Sequence, residues 1–422
     1  MHVLITVVGA RSEHWTDLFD VLCERPGLRL TVLAADVSPT TGRELARLGR
    51  RHPDFRAEVL PHRLGERLTG HMASVMFRLD GRSGPPVASP PDIVHVIGEA
   101  AYLSTWQVLR SRRRHWPRAA TTLYAAQNVV TRFPMPFPLL ERRAYRAVDM
   151  ILPITPAARQ VLRAKGYRGA TTIVPLGVDT RTFRPDAGAD ADADAGVGVG
   201  VGVGAGAGTP GRFTVGFVGR FEPHKGIPDL LRAAELADCD VLLVGDGSLA
   251  AEIDRAARSR PGRIRRYGWT GHADLPALLG RADALALPAR EITQRNVLPW
   301  VGIPLREQFG RVLVEAMACG LPVLGSDVGE IPYVIGDAGL TFPAGDVSAF
   351  AERLTRVRDQ PSTARQLAAN GLRRVAGEFA WERIADQLCD IWQRLHEERT
   401  AGSDPAASRP TAGVGTNRKV TN

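Results

Sequence analysis

Short apolar stretches, each about the length of a β-strand, alternate along this chain with longer stretches in which apolar residues follow helical spacing. In the first half the predicted strands are Val3–Val8, Leu30–Ala34, Ile93–Ile97, Thr122–Ala126, Met150–Ile154 and Thr172–Val174. In the second half they are Thr214–Val218, Val241–Val244, Ile264–Tyr267, Ala284–Leu287, Val323–Gly325 and Leu340–Phe342. Mostly apolar strands separated by helices predict two parallel sheets covered on both faces, an α/β fold. Ligands bind such sheets at the carboxyl ends of the strands, so we expect a site in the cleft between them.

A low-complexity segment divides the chain. Residues 187–210 consist mainly of Gly alternating with Val or Ala and offer nothing to build a core. We interpret them as a flexible linker between a domain over residues 1–186 and a second over residues 211–378. Asp190, Asp192 and Asp194 form Asp-x-Asp pairs inside this segment, but no strand flanks them, and we do not expect them to bind a metal.

The end of the second half predicts one more helix, within residues 379–398. From about Trp381 to His396, apolar residues recur at helical spacing. The remaining residues, 399–422, are rich in Ala, Gly, Ser, Pro and Thr, and we expect them to be disordered.

Composition indicates a globular protein without a membrane span. The chain has 422 residues, a length that suggests two domains. Its composition, 44% hydrophobic and 23% charged, is that of a globular protein and not of a disordered chain. No apolar run approaches the roughly 18–20 residues that a spanning helix needs. The N-terminus reads as a strand without a basic leader or cleavage site, and the four cysteines are scattered, so we expect a cytoplasmic, reducing location.

Charge is distributed unevenly between the halves. Residues 1–180 hold 25 basic and 15 acidic residues, whereas the remainder hold 29 and 30. The densest basic patch is Ser111–Arg118. Two interpretations stay open: a solvated surface in an arginine-rich protein, or attraction to an anionic partner such as the inner face of the membrane or a phospholipid-linked acceptor. Nucleic acid is not expected, because no recognition motif accompanies the charge.

Two carboxylates stand eight positions apart, Glu307 and Glu315. A Phe-Gly step between them opens a predicted helix, and Gly320 ends it. The amide groups at the start of such a helix suit a phosphate. Glu307 lies ahead of that anion site and Glu315 about 7.5 Å along the helix. The arrangement suits a ligand with a diphosphate at its centre and a hydroxyl-rich ring at each end, as in a nucleotide-sugar.

This string resembles the E-x7-E signature of the retaining glycosyltransferases of family 4, including the Phe-Gly step and the Glu-Ala-Met-Ala-x-Gly run. A second string, from Gly219 through Arg220 to Lys225, is similar to the family's Gly-Arg-x-x-x-x-Lys-Gly element. The resemblance implies the GT-B fold, in which two Rossmann-like domains face each other across a cleft. It also implies a donor-binding C-terminal domain, an acceptor-binding N-terminal domain, a terminal helix that crosses back, retention of configuration, and no required metal or other cofactor.

The resemblance also implies roles for single residues. Those implied to bind the donor are Gly219, Arg220, Lys225, Tyr267, Gly268, Glu307, Phe309, Gly310, Arg311, Val312 and Glu315. Arg220 and Lys225 are implied to stabilise the leaving diphosphate, Glu307 to bind the donor sugar, and Glu315 to bind ribose. Candidates for the acceptor are Gly9, Glu99 and Asn128. Many family members place a histidine where this chain has Gln127 and Asn128, so a histidine base is not available there.

The predicted activity is the transfer of a sugar from a nucleotide-diphosphate-sugar, UDP- or GDP-linked, to a hydroxyl acceptor by front-face displacement. The acceptor classes considered are a glycan, a lipid-linked or cell-envelope glycan, and a small molecule. Two alternatives stay open: a nucleotide-sugar epimerase of the same fold and a non-catalytic protein that binds sugar nucleotides. The sugar, the base, the acceptor and the role of residues 289–306 are not determined by the sequence.

Overall fold

The computed structural model describes residues 1–9, 12–63, 75–76, 87–185, 211–295 and 302–401. The predicted linker lies outside the described residues, and so do residues 402–422. The described chain forms two parallel sheets with helices on both faces, as the pattern of apolar strands predicted.

The first sheet has seven strands in the order β3-β2-β1-β6-β7-β8-β9. They are β1 (His2–Val8), β2 (Arg29–Ala35), β3 (Phe55–Leu60), β6 (Ile93–Ile97), β7 (Ala120–Ala125), β8 (Met150–Pro153) and β9 (Ala170–Thr171). Two short antiparallel strands, β4 (His62–Arg63) and β5 (Val75–Met76), pair with each other outside this sheet. Its helices are α1 (Glu13–Cys23), α2 (Pro39–Arg51), α3 (Leu103–His115), α4 (Phe137–Ala147) and α5 (Pro156–Ala164). From β1 the chain adds β2 and β3 on one side and β6 to β9 on the other. The carboxyl ends of β1 and β6 therefore lie at the topological switch point of the sheet, where ligands commonly bind.

The second sheet has six strands in the order β12-β11-β10-β13-β16-β17. They are β10 (Thr214–Val218), β11 (Asp240–Val244), β12 (Ile264–Tyr267), β13 (Ala284–Leu287), β16 (Val323–Ser326) and β17 (Gly339–Phe342), with an antiparallel hairpin, β14 (Ile292–Arg295) and β15 (Gly302–Leu305), inserted after β13. Its helices are α6 (Ile227–Leu236), α7 (Ala250–Ser259), α8 (Leu275–Leu279), α9 (Arg311–Ala318), α10 (Ile331–Ile335), α11 (Val347–Asp359) and α12 (Pro361–Arg374).

Two features at the edges of the first sheet differ from the prediction. Strand β3 was not predicted, because Phe55–Leu60 mixes polar and apolar positions and only its two ends are buried. The strand predicted at Thr172–Val174 was wrong by two residues: the chain pairs with β8 at Ala170 and Thr171 instead. Both are edge strands, where one side of the backbone has no neighbouring strand. Because edge strands are only partly buried, their sequences carry a weaker apolar pattern than those of central strands.

The last helix, α13 (Trp381–Ala401), packs against the first sheet's helix α1 and strand β7. Trp381 and Trp392 are fully buried on it, and the Trp392 indole Nε1 donates to Thr122 Oγ1 at 3.3 Å. The helix runs three residues past the predicted boundary at 398, and Arg399 in this extension pairs with Asp149 Oδ1 at 2.5 Å. Because α13 follows the second sheet in the chain and packs on the first, it ties the two sheets together. Truncating a buried tryptophan of this kind costs on the order of 3–5 kcal/mol. Within the described ranges, no helix combines the length and apolar character needed to cross a bilayer.

Candidate functional site

A cavity of about 490 Å³ opens at the carboxyl ends of β10, β11 and β13, beside the start of α9. It is lined by Glu13, Val218, Gly219, Arg220, His224, Lys225, Val244, Gly245, Trp269, Thr270, His272, Leu275, Leu287, Leu305, Arg306, Glu307, Gln308, Gly310, Arg311, Val312 and Glu315. Eight of the residues predicted to bind the donor are in this set. The two sequence strings therefore meet at one site, although about 80 residues separate them.

Glu307 and Lys225 form an ion pair in the cavity. The Lys225 Nζ lies 2.5 Å from Glu307 Oε2, and the two side chains are 16% and 15% exposed. Burial alone would raise the pKa of the Glu307 carboxyl, but Lys225, His224 and a hydrogen bond from the Gly310 backbone outweigh it, and the pKa is lowered. Glu307 is thus held as a carboxylate and can accept hydrogen bonds from hydroxyl groups.

Three contacts fix the backbone of Glu307. Its carbonyl oxygen accepts from the Asn128 side-chain Nδ2 at 2.8 Å and from the Glu330 backbone N–H at 3.1 Å. Gly329 passes so close, at φ +60°, that a Cβ there would lie 2.1 Å from the same oxygen. The requirement for glycine at this position is therefore steric. Asn128 reaches this oxygen from the first sheet's side of the cleft.

Helix α9 starts at the cavity with a tight turn. Gly310 has φ +79°, and a Cβ there would lie 2.9 Å from the Leu287 side chain. The first backbone amides of α9 have no partner within the helix and carry the positive end of its dipole. With Arg311 and Val312 also lining the cavity, this turn can hold an anionic group such as a phosphate.

Glycines shape the opposite wall, which carries Arg220 and Lys225. Gly226, at φ +69°, passes so close to Pro288 that a Cβ would overlap the Pro288 carbonyl oxygen. A Cβ on Gly245 would lie 2.0 Å from the Gly219 carbonyl oxygen. Both glycines are therefore required for close backbone packing between the loops that carry Arg220 and Lys225 and their neighbours.

Glu315 is buried at the far end of the cavity. Its Oε1 lies 2.9 Å from Arg311 Nε and 3.9 Å from His272 Nδ1. The other nitrogen of His272, Nε2, lies 3.4 Å from Asp17 Oδ2 on α1. Burial by itself would lower the pKa of His272, but Asp17 and Glu315 more than offset this, and the pKa is raised. His272 therefore stands between carboxylates that belong to the two sheets' helices.

Three residues predicted for the donor do not line the cavity. Tyr267 is buried, and its hydroxyl oxygen accepts from Arg281 Nη1 at 3.3 Å. Phe309 is buried edge-on against Phe379, with ring centroids 5.7 Å apart. Gly268 is also outside the lining set, and the next two residues, Trp269 and Thr270, line the cavity instead. Trp269 is 71% exposed, so its indole face is accessible to a planar group.

The acceptor candidates lie on the first sheet's side, outside the residues that line the cavity. Gly9 has φ +126°, and its N–H donates to Ala35 O. Glu99 Oε1 accepts from the Ala126 N–H at 2.7 Å, and burial raises the pKa of this carboxyl to about 7. Asn128 is the candidate that contacts the donor side, through the Glu307 carbonyl.

Sequence reasoning missed several residues of this cavity. Glu13 and His272 line it, and Asp17 contacts His272, but none belongs to a local motif. Leu305 is the last residue of β15, and Arg306 and Gln308 come directly after this strand. Residues 296–301, between β14 and β15, lie outside the described part of the chain. Trp269 and Thr270 directly follow the predicted Tyr267-Gly268 pair, so their nearness in sequence was the signal that could have indicated them. In the described ranges, no group of three or more His, Cys, Asp or Glu side chains is arranged to hold a metal ion.

Comparison with known proteins identifies relatives of the C-terminal half and of the overall fold. Residues 208–374 match the family model of the glycosyl transferases group 1. The chain is 29% identical over 226 residues to a GDP-mannose-dependent phosphatidylinositol monomannoside mannosyltransferase of Corynebacterium glutamicum, covering 52% of this chain and 55% of that one. It is 31% identical over 211 residues to a D-inositol 3-phosphate glycosyltransferase of Salinispora tropica, covering 46% and 40%. The chain thus spans about half the length of the curated relatives it matches.

Solved structures resemble nearly the whole chain. A sucrose-phosphate synthase of Thermosynechococcus elongatus superposes with a TM-score of 0.66 at 20% identity, covering 94% of this chain and all of that one. Anabaena HepE, solved with UDP and glucose, superposes with a TM-score of 0.65 at 18% identity, covering 93% of this chain and all of that one. The chain has the GT-B fold, and its residues 208–374 are similar to the group 1 glycosyl transferases, which supports the resemblance to family 4.

Proposed function

We propose that this protein is a retaining glycosyltransferase that moves a sugar from a nucleotide-diphosphate-sugar to a hydroxyl acceptor. The observation that carries the proposal is the cavity itself. One carboxylate, Glu307, is held ionised between Lys225 and the start of α9, and a second, Glu315, lies farther along the same helix. A diphosphate fits between them, with the sugar toward Glu307 and the ribose toward Glu315.

The charges in the cavity suit the departure of a diphosphate. In this proposal Arg220, Lys225 and the first amides of α9 bind the phosphates and stabilise the negative charge that grows on the leaving group. The ammonium of Lys225 has three N–H donors, so it can bind a phosphate oxygen while it still contacts Glu307. Glu315 accepts from ribose hydroxyls after exchanging its contact with Arg311.

The proposed transfer takes place on one face of the sugar. The bond between the anomeric carbon and the phosphate oxygen breaks, the acceptor oxygen bonds to the same face, and the acceptor's proton passes to the leaving phosphate. Glu307 binds the sugar hydroxyls and orients the anomeric carbon. No metal is assigned a role, because Arg220 and Lys225 supply the positive charge.

The proposed donor is UDP- or GDP-linked. The Corynebacterium relative is named for GDP-mannose, and the Anabaena structure contains UDP and glucose. For the acceptor we propose a glycan or a lipid-linked hydroxyl, in line with the phosphatidylinositol mannoside in the name of the same relative. We place the reaction in the cytoplasm, at the inner face of the membrane.

A nucleotide screen followed by one substitution tests the proposal. Thermal unfolding is measured with UDP, GDP, ADP and TDP, and the nucleotide that binds is expected to stabilise the protein by about 2.7 kcal/mol at a hundredfold excess over Kd. With sugar donors of that nucleotide, Glu307→Ala should abolish transfer and leave nucleotide binding largely intact. Glu352→Ala, at an exposed glutamate of α11, is the matched control.

Three results would contradict the proposal. Near-normal turnover by Glu307→Ala would remove the role of this carboxylate. Release of nucleotide and a 2-epimer without an added acceptor would identify an epimerase. Nucleotide binding without transfer or hydrolysis of any donor would identify a non-catalytic binding protein.

A further inference from the structure

The outer helical layer of the first sheet, formed by α3 and α4, carries a concentration of positive charge. Residues 103–148 contain nine arginines and one carboxylate, Glu141. Glu141 Oε1 lies 2.8 Å from Lys165 Nζ, so this carboxylate is already paired with a cation from outside the segment. The second half of the chain has nearly equal numbers of basic and acidic residues. The excess is therefore a local property of this layer.

Arginines of both helices share one groove of about 780 Å³ on this layer. The exposed arginines that line it are Arg110, Arg113, Arg143 and Arg146. The carboxylate in the groove, Asp149, accepts from the Thr121 N–H at 2.7 Å and pairs with Arg399 at 2.5 Å. Among the described residues, no carboxylate pairs with the four exposed arginines. The groove thus presents positive charge to solvent.

Large apolar side chains are exposed in the segment that leads into α4 and in the first turn of this helix. Val130, Met135 and Leu139 are 53%, 67% and 41% exposed. Along α4, Leu139, Arg143 and Arg146 are exposed at helical spacing, while the opposite side of the helix is buried. Arg143 and Arg146 thus continue an exposed stripe of α4 that begins with Leu139.

The charge alone has an ordinary explanation, since arginine in the last turn of a helix offsets the helix dipole. That explanation covers Arg112, Arg113 and Arg146, but it does not explain three large apolar residues exposed before and within the first turn of α4. Apolar side chains flanked by arginines match the interfacial region of an anionic bilayer, where phosphates meet guanidinium groups and the acyl boundary takes up apolar groups.

We propose that the α3–α4 layer docks on an anionic phospholipid bilayer. Met135 and Leu139 enter the acyl boundary, and the arginines of the groove and of α4 bind lipid phosphates. Docking does not depend on sugar transfer. One consequence does rest on the proposed function: docking would bring the enzyme to the surface that carries lipid-linked hydroxyls, the acceptor class proposed above.

Vesicle flotation of the full chain tests the docking without any sugar donor. Vesicles of phosphatidylcholine alone are compared with vesicles that also contain phosphatidylglycerol. The charge variant is Arg142→Gln/Arg143→Gln/Arg146→Gln, and the apolar variant is Met135→Ser/Leu139→Ser. Their matched controls, Arg255→Gln/Arg258→Gln/Arg365→Gln and Leu236→Ser/Leu372→Ser, change exposed residues of the second sheet's helices. Thermal unfolding verifies that each variant is folded.

We expect binding to the anionic vesicles and much weaker binding to the neutral ones. Each arginine contributes about fivefold near an anionic surface, so the charge variant should bind on the order of 100-fold more weakly. The apolar variant should also bind more weakly, and both controls should bind as the unchanged protein does. Equal binding to neutral vesicles, no binding to anionic vesicles, or equal losses in the controls would overturn the proposal. Binding to DNA or heparin without binding to vesicles would identify a different partner.

Discussion

Replacing Lys225 with methionine separates the two tasks assigned to this lysine, which are to hold Glu307 ionised and to bind the diphosphate. Methionine fills similar space without charge. Removing one partner of a buried ion pair costs about 3–5 kcal/mol because the other charge stays buried. Both side chains keep some contact with water, at 16% and 15% exposure, so we expect a loss of unfolding free energy at the lower end, about 3 kcal/mol.

The loss should depend on pH. In the unchanged protein the pKa of Glu307 is lowered below 4.5, so its contribution to stability is present above that pH and is lost as the pH falls through the lowered value. In Lys225→Met, burial acts on Glu307 without the lysine and raises the pKa. The difference between the two proteins should therefore be largest near pH 8 and should shrink toward pH 5 as Glu307 takes up a proton.

Nucleotide binding should weaken at the same time. A hydrogen bond to a charged group contributes about 1.5–3 kcal/mol, so the affinity for the nucleoside diphosphate should fall roughly 10- to 150-fold. Calorimetric titration measures the affinity, and thermal unfolding at several pH values measures the stability. Lys225→Met/Glu307→Gln should recover most of the stability but not the affinity. A stability loss that does not vary with pH, or an unchanged nucleotide affinity, would refute this account of the pair.

Three further predictions concern other residues. His272→Gln should lose a pH-dependent part of the unfolding free energy, because the pKa of His272 is raised above 6.5 in the folded protein. The contribution of His272 is present below about pH 6.5 and disappears as the pH rises through the raised value. Unfolding curves of the two proteins should therefore converge at high pH. Glu99→Gln should stabilise the protein near pH 8 by at most about 3 kcal/mol, because the buried Glu99 carboxyl, with a pKa of about 7, is ionised at that pH at a cost in free energy. The substitution should have little effect near pH 4, and equal effects at both pH values would contradict this. Gly329→Ala should reduce kcat on the order of 100-fold by displacing Glu307, with nucleotide affinity retained, and unchanged turnover would show that the close approach has no catalytic importance.

The central strands and the eight predicted residues that line the cavity were predictable for the same reason: each signal lies within a short run of sequence. Strands such as β6 and β10 are buried and mostly apolar because helices cover both faces, and their bounds agree with the prediction. Glu307 and Glu315 lie on one helix and the loop before it, and Arg220 and Lys225 lie in one turn.

What the sequence did not indicate depends on packing between distant segments. Asp17 and His272 are about 255 positions apart in the chain, and only the folded cleft brings them together. The edge strand β3 was missed because half of its residues meet solvent. Asn128 was expected to bind the acceptor, but its side-chain amide donates to the Glu307 backbone, a contact that no local pattern encodes.

That hydrogen bond has a consequence for attempts to change acceptor specificity by exchanging whole N-terminal domains between related enzymes. The 2.8 Å contact makes the Glu307 carbonyl oxygen a shared part of both halves. A transplanted domain that brings a different residue to position 128 would alter the placement of Glu307 even if it bound its own acceptor well. We therefore expect successful chimeras to retain an amide donor at this position, and libraries for a new acceptor to vary the rest of that surface around it.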